Sequence, residues 1–111
     1  MKKIPGFLTL FCCLMTFNIL AQDQTIKIKT SAVCEECRKP IESALNFAKG
    51  VKSANLDLES KEVTVIFKSV KTDPNKIRLV ISKAGYDADS IAADPKAYSR
   101  LKPCCKKDGH D

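Results

Sequence analysis

Cys34 and Cys37 are the residues whose type and spacing first suggest chemistry. They lie three positions apart in the segment TSAVCEECRKPIESAL, residues 30–45. Two thiols at this spacing can form a disulfide, take part in thiol–disulfide exchange, or bind a soft metal ion. Pro40 is tolerated only in the first positions of a helix, so we expect a helix that starts near Glu36 or Cys37. Both sulfurs can then converge near a helix N-terminus, where the dipole favours thiolate over thiol.

Two converging thiolates suit soft cations, above all Cu(I), with Hg(II), Zn(II) or Cd(II) as alternatives. A structural zinc site has four ligands, whereas the segment CEEC supplies two. Open coordination is what a carrier needs, because a partner's thiolate can then enter before the first ligands leave. Glu35 and Glu36 either add negative charge that favours a cation or are simply acidic residues at a helix start.

A second set of soft-metal ligands lies near the C-terminus, where Cys104 and Cys105 are adjacent and His110 follows. One interpretation is an auxiliary metal site, or a tail that folds back and completes the coordination of the ion at Cys34 and Cys37. The other is a disulfide, or loose thiols with a solvated histidine. Adjacent cysteines bridge each other only with strain, so an oxidised tail would bond to Cys34 or Cys37.

The first 21 residues have the layout of a secretory signal. Two lysines precede an apolar run at 7–20, and Ala21 supplies the small residue before the expected cut. Cleavage would remove Cys12 and Cys13 and would place the protein in the periplasm or cell envelope of a bacterium. An uncleaved anchor is the alternative, because the run approaches the length that spans a bilayer.

The charge and size of the mature chain limit its functions. Removing Lys2 and Lys3 from the 19 basic residues leaves 17 against 13 acidic ones, a net charge of +4. The lysines alternate with apolar residues along strands and have no aromatic stacking platform beside them, so no nucleic-acid binding is expected. The remaining residues, about 90, suit a single domain with a modest core.

The hydrophobic pattern predicts one domain at residues 22–93 and an appended tail at 94–111. The predicted elements are a strand from residue 25, a helix that stops at Gly50, two strands joined through residues 59–61, a helix between Asp73 and Gly85, and a weaker strand at 86–92. This order predicts an α+β fold, the ferredoxin-like βαββαβ sandwich, in which two helices cover one face of a four-stranded antiparallel sheet. The tail is expected to hold one helical turn near Tyr98 and Leu101.

Several short motifs accompany the cysteine pair along residues 25–92. They are the CxxC of Cys34 and Cys37, Ile41-Glu42, Leu45, Gly50-Val51, Val63 and the AGYDA run at 84–88. In these motifs the chain resembles the heavy-metal-associated (HMA) domain family, which includes small copper chaperones, the periplasmic mercury-binding protein and the amino-terminal modules of metal-pumping P-type ATPases. The resemblance implies the same βαββαβ fold.

The resemblance also implies roles for individual residues. Cys34 and Cys37 would bind the metal. Tyr86 would lie on the loop beside the site and shield it, although core packing also explains a buried aromatic there. The implied function is a carrier or scavenger for a membrane metal transporter, such as a P-type ATPase or another efflux or uptake system. We expect a monomer or a metal-bridged dimer. Ala32-Val33 and Arg38 depart from the family's pattern, which leaves the metal open.

Enzyme function is not expected, because the sequence shows no general base, phosphate loop or triad. The alternative from another class is an exported thiol–disulfide oxidoreductase that uses the same CxxC. The chain lacks the aromatic residue usual before a thioredoxin-type CxxC, and its inferred strand order is wrong for that fold.

Overall fold

The computed structural model describes residues 23–107, so the predicted signal segment and His110 lie outside the described residues. The elements are β1 (Asp23–Lys29), α1 (Glu35–Asn46), β2 (Val51–Asp57), β3 (Glu62–Lys68), α2 (Pro74–Lys83) and α3 (Pro95–Ser99), followed by a 3₁₀ turn at Pro103–Cys105. Within this range no helix combines the length and the apolar character needed to cross a membrane.

The three strands form an antiparallel sheet in the order β1-β3-β2. Their inward positions alternate with outward ones, as the sequence pattern predicts. Val63 of the central strand pairs with Ile28 on one side and with Leu56 on the other, and all three side chains are buried. Helix α1 packs against the sheet on this row of apolar residues.

The two longer helices begin and end for local reasons. The Asp73 carboxylate accepts a hydrogen bond of 2.9 Å from the Lys76 backbone and caps α2, and Gly85 follows the helix with a φ of 105°. Both features match the prediction. Helix α1 instead ends at Asn46, before the predicted stop, and Gly50 adopts a φ of 83° in the turn into β2.

One hydrophobic core joins the sheet, α1 and α2. Its fully buried members are Ile28, Ala32, Cys37, Ile41, Leu45, Leu56, Val63, Val65, Phe67, Ile77, Ile81, Tyr86 and Ala88. Cys105 from the tail also belongs to this core, with 4% of its surface exposed. The tail is therefore packed against the domain.

The prediction of a fourth strand at residues 86–92 is wrong for the described residues. Ala88 forms only isolated bridges, to Thr30 and to Ile91. Beside it, Asp89 has a φ of 53°, its carboxylate accepts a hydrogen bond of 2.9 Å from the Lys29 backbone, and its own amide donates to the Lys29 carbonyl at 2.8 Å. A side chain thus replaces part of the strand ladder. The fold is α+β and consistent with the ferredoxin-like arrangement, with three strands.

The two-helix prediction needs a smaller correction, because the tail contributes a third helix. Helix α3 contains Tyr98, as expected, but ends before Leu101. Asp94 caps it by accepting a hydrogen bond of 3.0 Å from the Ala97 backbone. The 3₁₀ turn that follows contacts α1 and so brings the end of the tail to the cysteine motif.

Candidate metal site

Cys34 and Cys37 meet at the start of α1. Cys34 occupies the N-cap position with extended backbone angles, and Cys37 lies in the first turn. Their sulfur atoms are 3.6 Å apart, with Cys34 half-buried and Cys37 completely buried. The sequence predicted this placement within one or two residues, since Pro40 restricts where the helix can begin.

Helix α1 is attached to the sheet by polar contacts as well as by its apolar face. The Arg38 guanidinium donates to the Leu56 carbonyl at 2.8 Å, and the Leu56 amide donates to the Glu42 carboxylate at 2.7 Å. Strand β2 is an edge strand, so these contacts satisfy backbone groups that the sheet leaves open. Sequence reasoning missed this role, although the spacing of four residues between Arg38 and Glu42 places them on one helix face. The contacts fix α1, and with it Cys37, against the sheet.

The surroundings of Cys37 favour its ionised form. Burial acts to raise its pKa, but hydrogen bonds from the Val33 and Cys34 backbones and from the Cys105 and Cys34 side chains outweigh burial and lower the pKa. A thiolate is both the nucleophile and the metal ligand of a cysteine. Cys37 is therefore prepared to bind a cation without being exposed to solvent.

The two tail cysteines reach the same place. The sulfurs of Cys34, Cys104 and Cys105 all lie within 4.8 Å of one another. Cys34 also donates to the Cys104 carbonyl at 3.3 Å, and the Cys104 thiol donates to the Glu36 carboxylate at 2.8 Å. The structure thus brings together all four predicted cysteine ligands that it describes, while the predicted ligand His110 lies outside the described residues.

The tail thiols differ electrostatically from Cys37. The hydrogen bond to the Glu36 carboxylate raises the pKa of Cys104 to about 11, because a nearby anion favours the protonated thiol. Burial, followed by the hydrogen bond with Cys37, raises the pKa of Cys105 to about 12. Both tail thiols are protonated at neutral pH in the absence of a cation.

Tyr86 interacts with Cys105 and Cys37 and is completely buried. Its hydroxyl forms no hydrogen bond of ordinary geometry with any of the described residues. Burial raises its pKa, and the adjacent Cys105 and Cys37 raise it further. Tyr86 therefore presents a neutral hydroxyl and an aromatic ring to the site, a position compatible both with shielding and with ordinary packing.

The family model for the heavy-metal-associated domain matches residues 28–87, more than half of the chain. The protein belongs to this family. The match contains Cys34, Cys37 and Tyr86, and it ends before the tail.

Individual relatives agree with the family match. The chain is 37% identical over 54 residues to the copper chaperone CopZ of Staphylococcus aureus strain JH9, a match that covers 49% of this chain and 79% of the chaperone. It is 36% identical over 59 residues to the copper-exporting P-type ATPase of the same strain, covering 53% of this chain but only 7% of the ATPase. The chain thus spans a small part of the transporters that it matches.

A solved structure supports the fold. The mercury-bound form of MerP, the periplasmic protein of the bacterial mercury detoxification system, is 25% identical, with a TM-score of 0.54 and coverage of 61% of this chain and 96% of MerP. HMA domain proteins such as CopZ and MerP are metal chaperones or carriers and not enzymes. The prediction that the chain is not an enzyme is therefore confirmed.

Proposed function

We propose that the protein binds a soft metal ion, Cu(I) in the first place, between Cys34 and Cys37 and carries or sequesters it for a metal transporter of the cell envelope. The separation of 3.6 Å between the two sulfurs is the observation that carries this proposal. Two thiolates at that distance can bind one ion, and soft ligands select soft metals. Hg(II), Zn(II) and Cd(II) are the other candidate ions.

The unequal exposure of the two cysteines suits a carrier. Cys37 is completely buried and its pKa is lowered, so it can keep its bond to the ion. Cys34 is half-buried at the N-cap, where an incoming thiolate can reach the ion. Ligand exchange can then begin at the exposed side while Cys37 still holds the metal.

The proposed partner is a metal-transporting membrane protein, such as a P-type ATPase or another efflux or uptake system. The similarity to part of a copper-exporting ATPase and to a copper chaperone supports this assignment. We further propose that residues 1–21 direct export, that 22–93 form the metal-binding domain and that 94–111 form a tail. The carrier then works in the periplasm or envelope, as a monomer or as a metal-bridged dimer.

Competition for Cu(I) tests the proposal. The reduced full-length protein is titrated anaerobically with Cu(I) against a chromophoric chelator, alongside Cys34→Ser/Cys37→Ser. We expect the double variant to lose at least about 100-fold in affinity, because both ligands are gone; losing a residue that only hydrogen-bonds to a ligand typically costs about 10–100-fold. Ser69→Ala, at an exposed position outside the site, is the matched control and should bind like the wild type.

Two results would overturn the carrier function. Unchanged Cu(I) affinity of the folded double variant would show that the ion binds elsewhere. Efficient reduction of insulin by the wild type, lost in the same variant, would show a thiol–disulfide oxidoreductase instead. Circular dichroism of each protein without metal establishes that the variants remain folded.

A further inference from the structure

The tail places two additional sulfurs on the CxxC pair, beyond the residues that the family model matches. Cys104 and Cys105 occupy the 3₁₀ turn, and their sulfurs and that of Cys34 lie within 4.8 Å of one another. Cys37 lies 3.6 Å from Cys34 and forms a hydrogen bond with Cys105. The four thiols therefore form one continuous cluster.

The position of the tail is held by specific packing. A Cβ atom added to Gly85 would lie only 3.1 Å from the Leu101 side chain and 3.2 Å from the Ala97 backbone. These contacts are tighter than nearly all Cβ atoms make, and the φ of 105° also favours glycine at this position. Further along the tail, the Cys105 side chain packs into the core, and 4% of its surface remains exposed.

Polar contacts fix the tail on both sides of its cysteines. On one side the Lys102 ammonium lies 4.0 Å from the Glu36 carboxylate of α1. On the other side Lys107 forms an ion pair of 2.7 Å with Asp87, and its amide donates to the Tyr98 hydroxyl at 2.8 Å. Surface ion pairs contribute little stability individually, but these contacts fix the direction in which the turn faces the site.

The distances fit a single ion with several sulfur ligands. Tetrahedral coordination with metal–sulfur bonds of about 2.3 Å places the sulfurs about 3.8 Å apart. The observed 3.6 Å between Cys34 and Cys37 is close to that value, and the sulfurs of Cys34, Cys104 and Cys105 lie within 4.8 Å of one another. Cys37 lies outside that group of three and joins it through Cys34 and through its hydrogen bond with Cys105, so four-sulfur coordination requires the tail turn to move closer to Cys37. The tail is also rich in basic side chains, and these can offset the charge of several thiolates.

From this cluster we infer that Cys104 and Cys105 bind the same ion as Cys34 and Cys37, so that the tail closes the CxxC into a site of four sulfurs. The inference rests on the proposed function of the CxxC pair. Among the candidate ions of the proposed function, four thiolates favour the four-coordinate divalent d¹⁰ cations Zn(II), Cd(II) and Hg(II) over Cu(I), which two thiolates suffice to bind. A partner must then displace the tail before it can take the ion, so the tail favours retention over transfer.

Cadmium binding tests this inference directly. The reduced full-length protein is loaded with ¹¹³Cd²⁺, and the cadmium chemical shift reports how many sulfurs surround the ion. We expect four sulfurs in the wild type and two in Cys104→Ser/Cys105→Ser, with an affinity for Cd²⁺ at least about 10-fold lower in that variant. Lys106→Ser, next to the pair, is the matched control and should retain four sulfurs.

The outcomes separate this inference from the proposed function. A tail variant with the wild-type shift and affinity would overturn the inference and leave the CxxC function standing. Four sulfurs in a complex of one ion with two chains, shown by native mass spectrometry of the wild type, would also overturn it. If instead Cys34→Ser/Cys37→Ser kept the wild-type affinity while the tail variant lost it, the proposed function itself would fail.

Discussion

The two cysteine pairs differ in how the backbone presents their sulfurs. Cys34 and Cys37 lie three positions apart across the first turn of a helix, so both side chains can point the same way. Cys104 and Cys105 are adjacent, and their side chains point differently: Cys105 enters the core, whereas Cys104 reaches the Glu36 carboxylate. The first pair can form a metal site within its own segment. The second pair is brought to a site only by the contacts of the tail with the rest of the domain.

The electrostatic difference follows from the same geometry. Backbone amides donate to Cys37 and lower its pKa, while Glu36 raises the pKa of Cys104 and burial raises that of Cys105. Without a cation, Cys37 is the thiol of the cluster whose surroundings favour ionisation, and the two tail thiols are protonated at neutral pH. Metal binding must release the tail protons, so the CxxC is expected to bind first.

Freeing the tail should produce the largest change. Gly85→Ala forces a side chain onto a φ of 105° and against the Ala97 backbone, so we expect a loss of about 1–3 kcal/mol in the free energy of unfolding. We also expect faster alkylation of Cys105, because its cover is displaced. Denaturant unfolding and peptide mass spectrometry measure the two effects.

Gly50→Ala is the matched control for that variant. Gly50 has a comparable φ of 83°, but an added Cβ would meet the Thr72 side chain at 2.9 Å and not the tail. It should destabilise the protein without exposing Cys105. Equal labelling of Cys105 in wild type and Gly85→Ala would contradict the docking of the tail on Gly85.

We expect a smaller effect in the pH dependence of the alkylation rate of Cys104. With a pKa of about 11, its alkylation rate should rise about tenfold per pH unit from pH 7 to near pH 11, since only the thiolate reacts. Glu36→Gln removes the carboxylate charge, so the rise should end at lower pH. Tandem mass spectrometry can assign the label to Cys104 and not to Cys105. A wild-type profile that levels off below pH 9 would show that Glu36 does not hold the proton on Cys104.

The smallest effect concerns the loop that replaces the fourth strand. Partial burial acts to raise the pKa of Asp89, but hydrogen bonds from Arg78 and from the Lys29 backbone outweigh it and lower the pKa below 3.8. The resulting stabilisation is present above the ordinary carboxyl pKa and is lost as the pH falls through the lower value of the folded state. Asp89→Asn should remove less than about 1 kcal/mol at pH 7.

Urea unfolding between pH 7 and pH 2 measures this contribution. Asparagine tolerates the φ of 53° at this position, so Asp89→Asn changes the charge and leaves the backbone conformation in place. The variant should therefore lose less stability on acidification than the wild type does. An identical pH dependence in both proteins would refute the role assigned to the Asp89 carboxylate.

Prediction from the sequence succeeded where local rules dominate. The cap at Asp73 and the left-handed residue at Gly85 were predictable because each depends on a few neighbouring residues. The inward faces of β1 and β3 followed from alternation, because successive side chains of a strand point to opposite faces. The convergence of Cys34 and Cys37 belongs to the same class.

Prediction failed where long-range contacts compete with local ones. The order of elements and a few apolar residues suggested a weak strand at residues 86–92, but the Asp89 side chain takes a hydrogen bond from the Lys29 backbone that a strand partner would otherwise receive. The contacts of Arg38 and Glu42 with Leu56 were missed because they join residues 14 to 18 positions apart. Neither local propensity nor periodicity contains that information.

The sequence alone determined the helix that carries the CxxC, the family motifs around it and the apolar faces of the sheet, because these depend on spacing within a few residues. Only the tertiary structure decided that the tail cysteines lie on the CxxC. That placement depends on the close approach of Leu101 and Ala97 to Gly85 and on the burial of Cys105, contacts between segments that are distant along the chain.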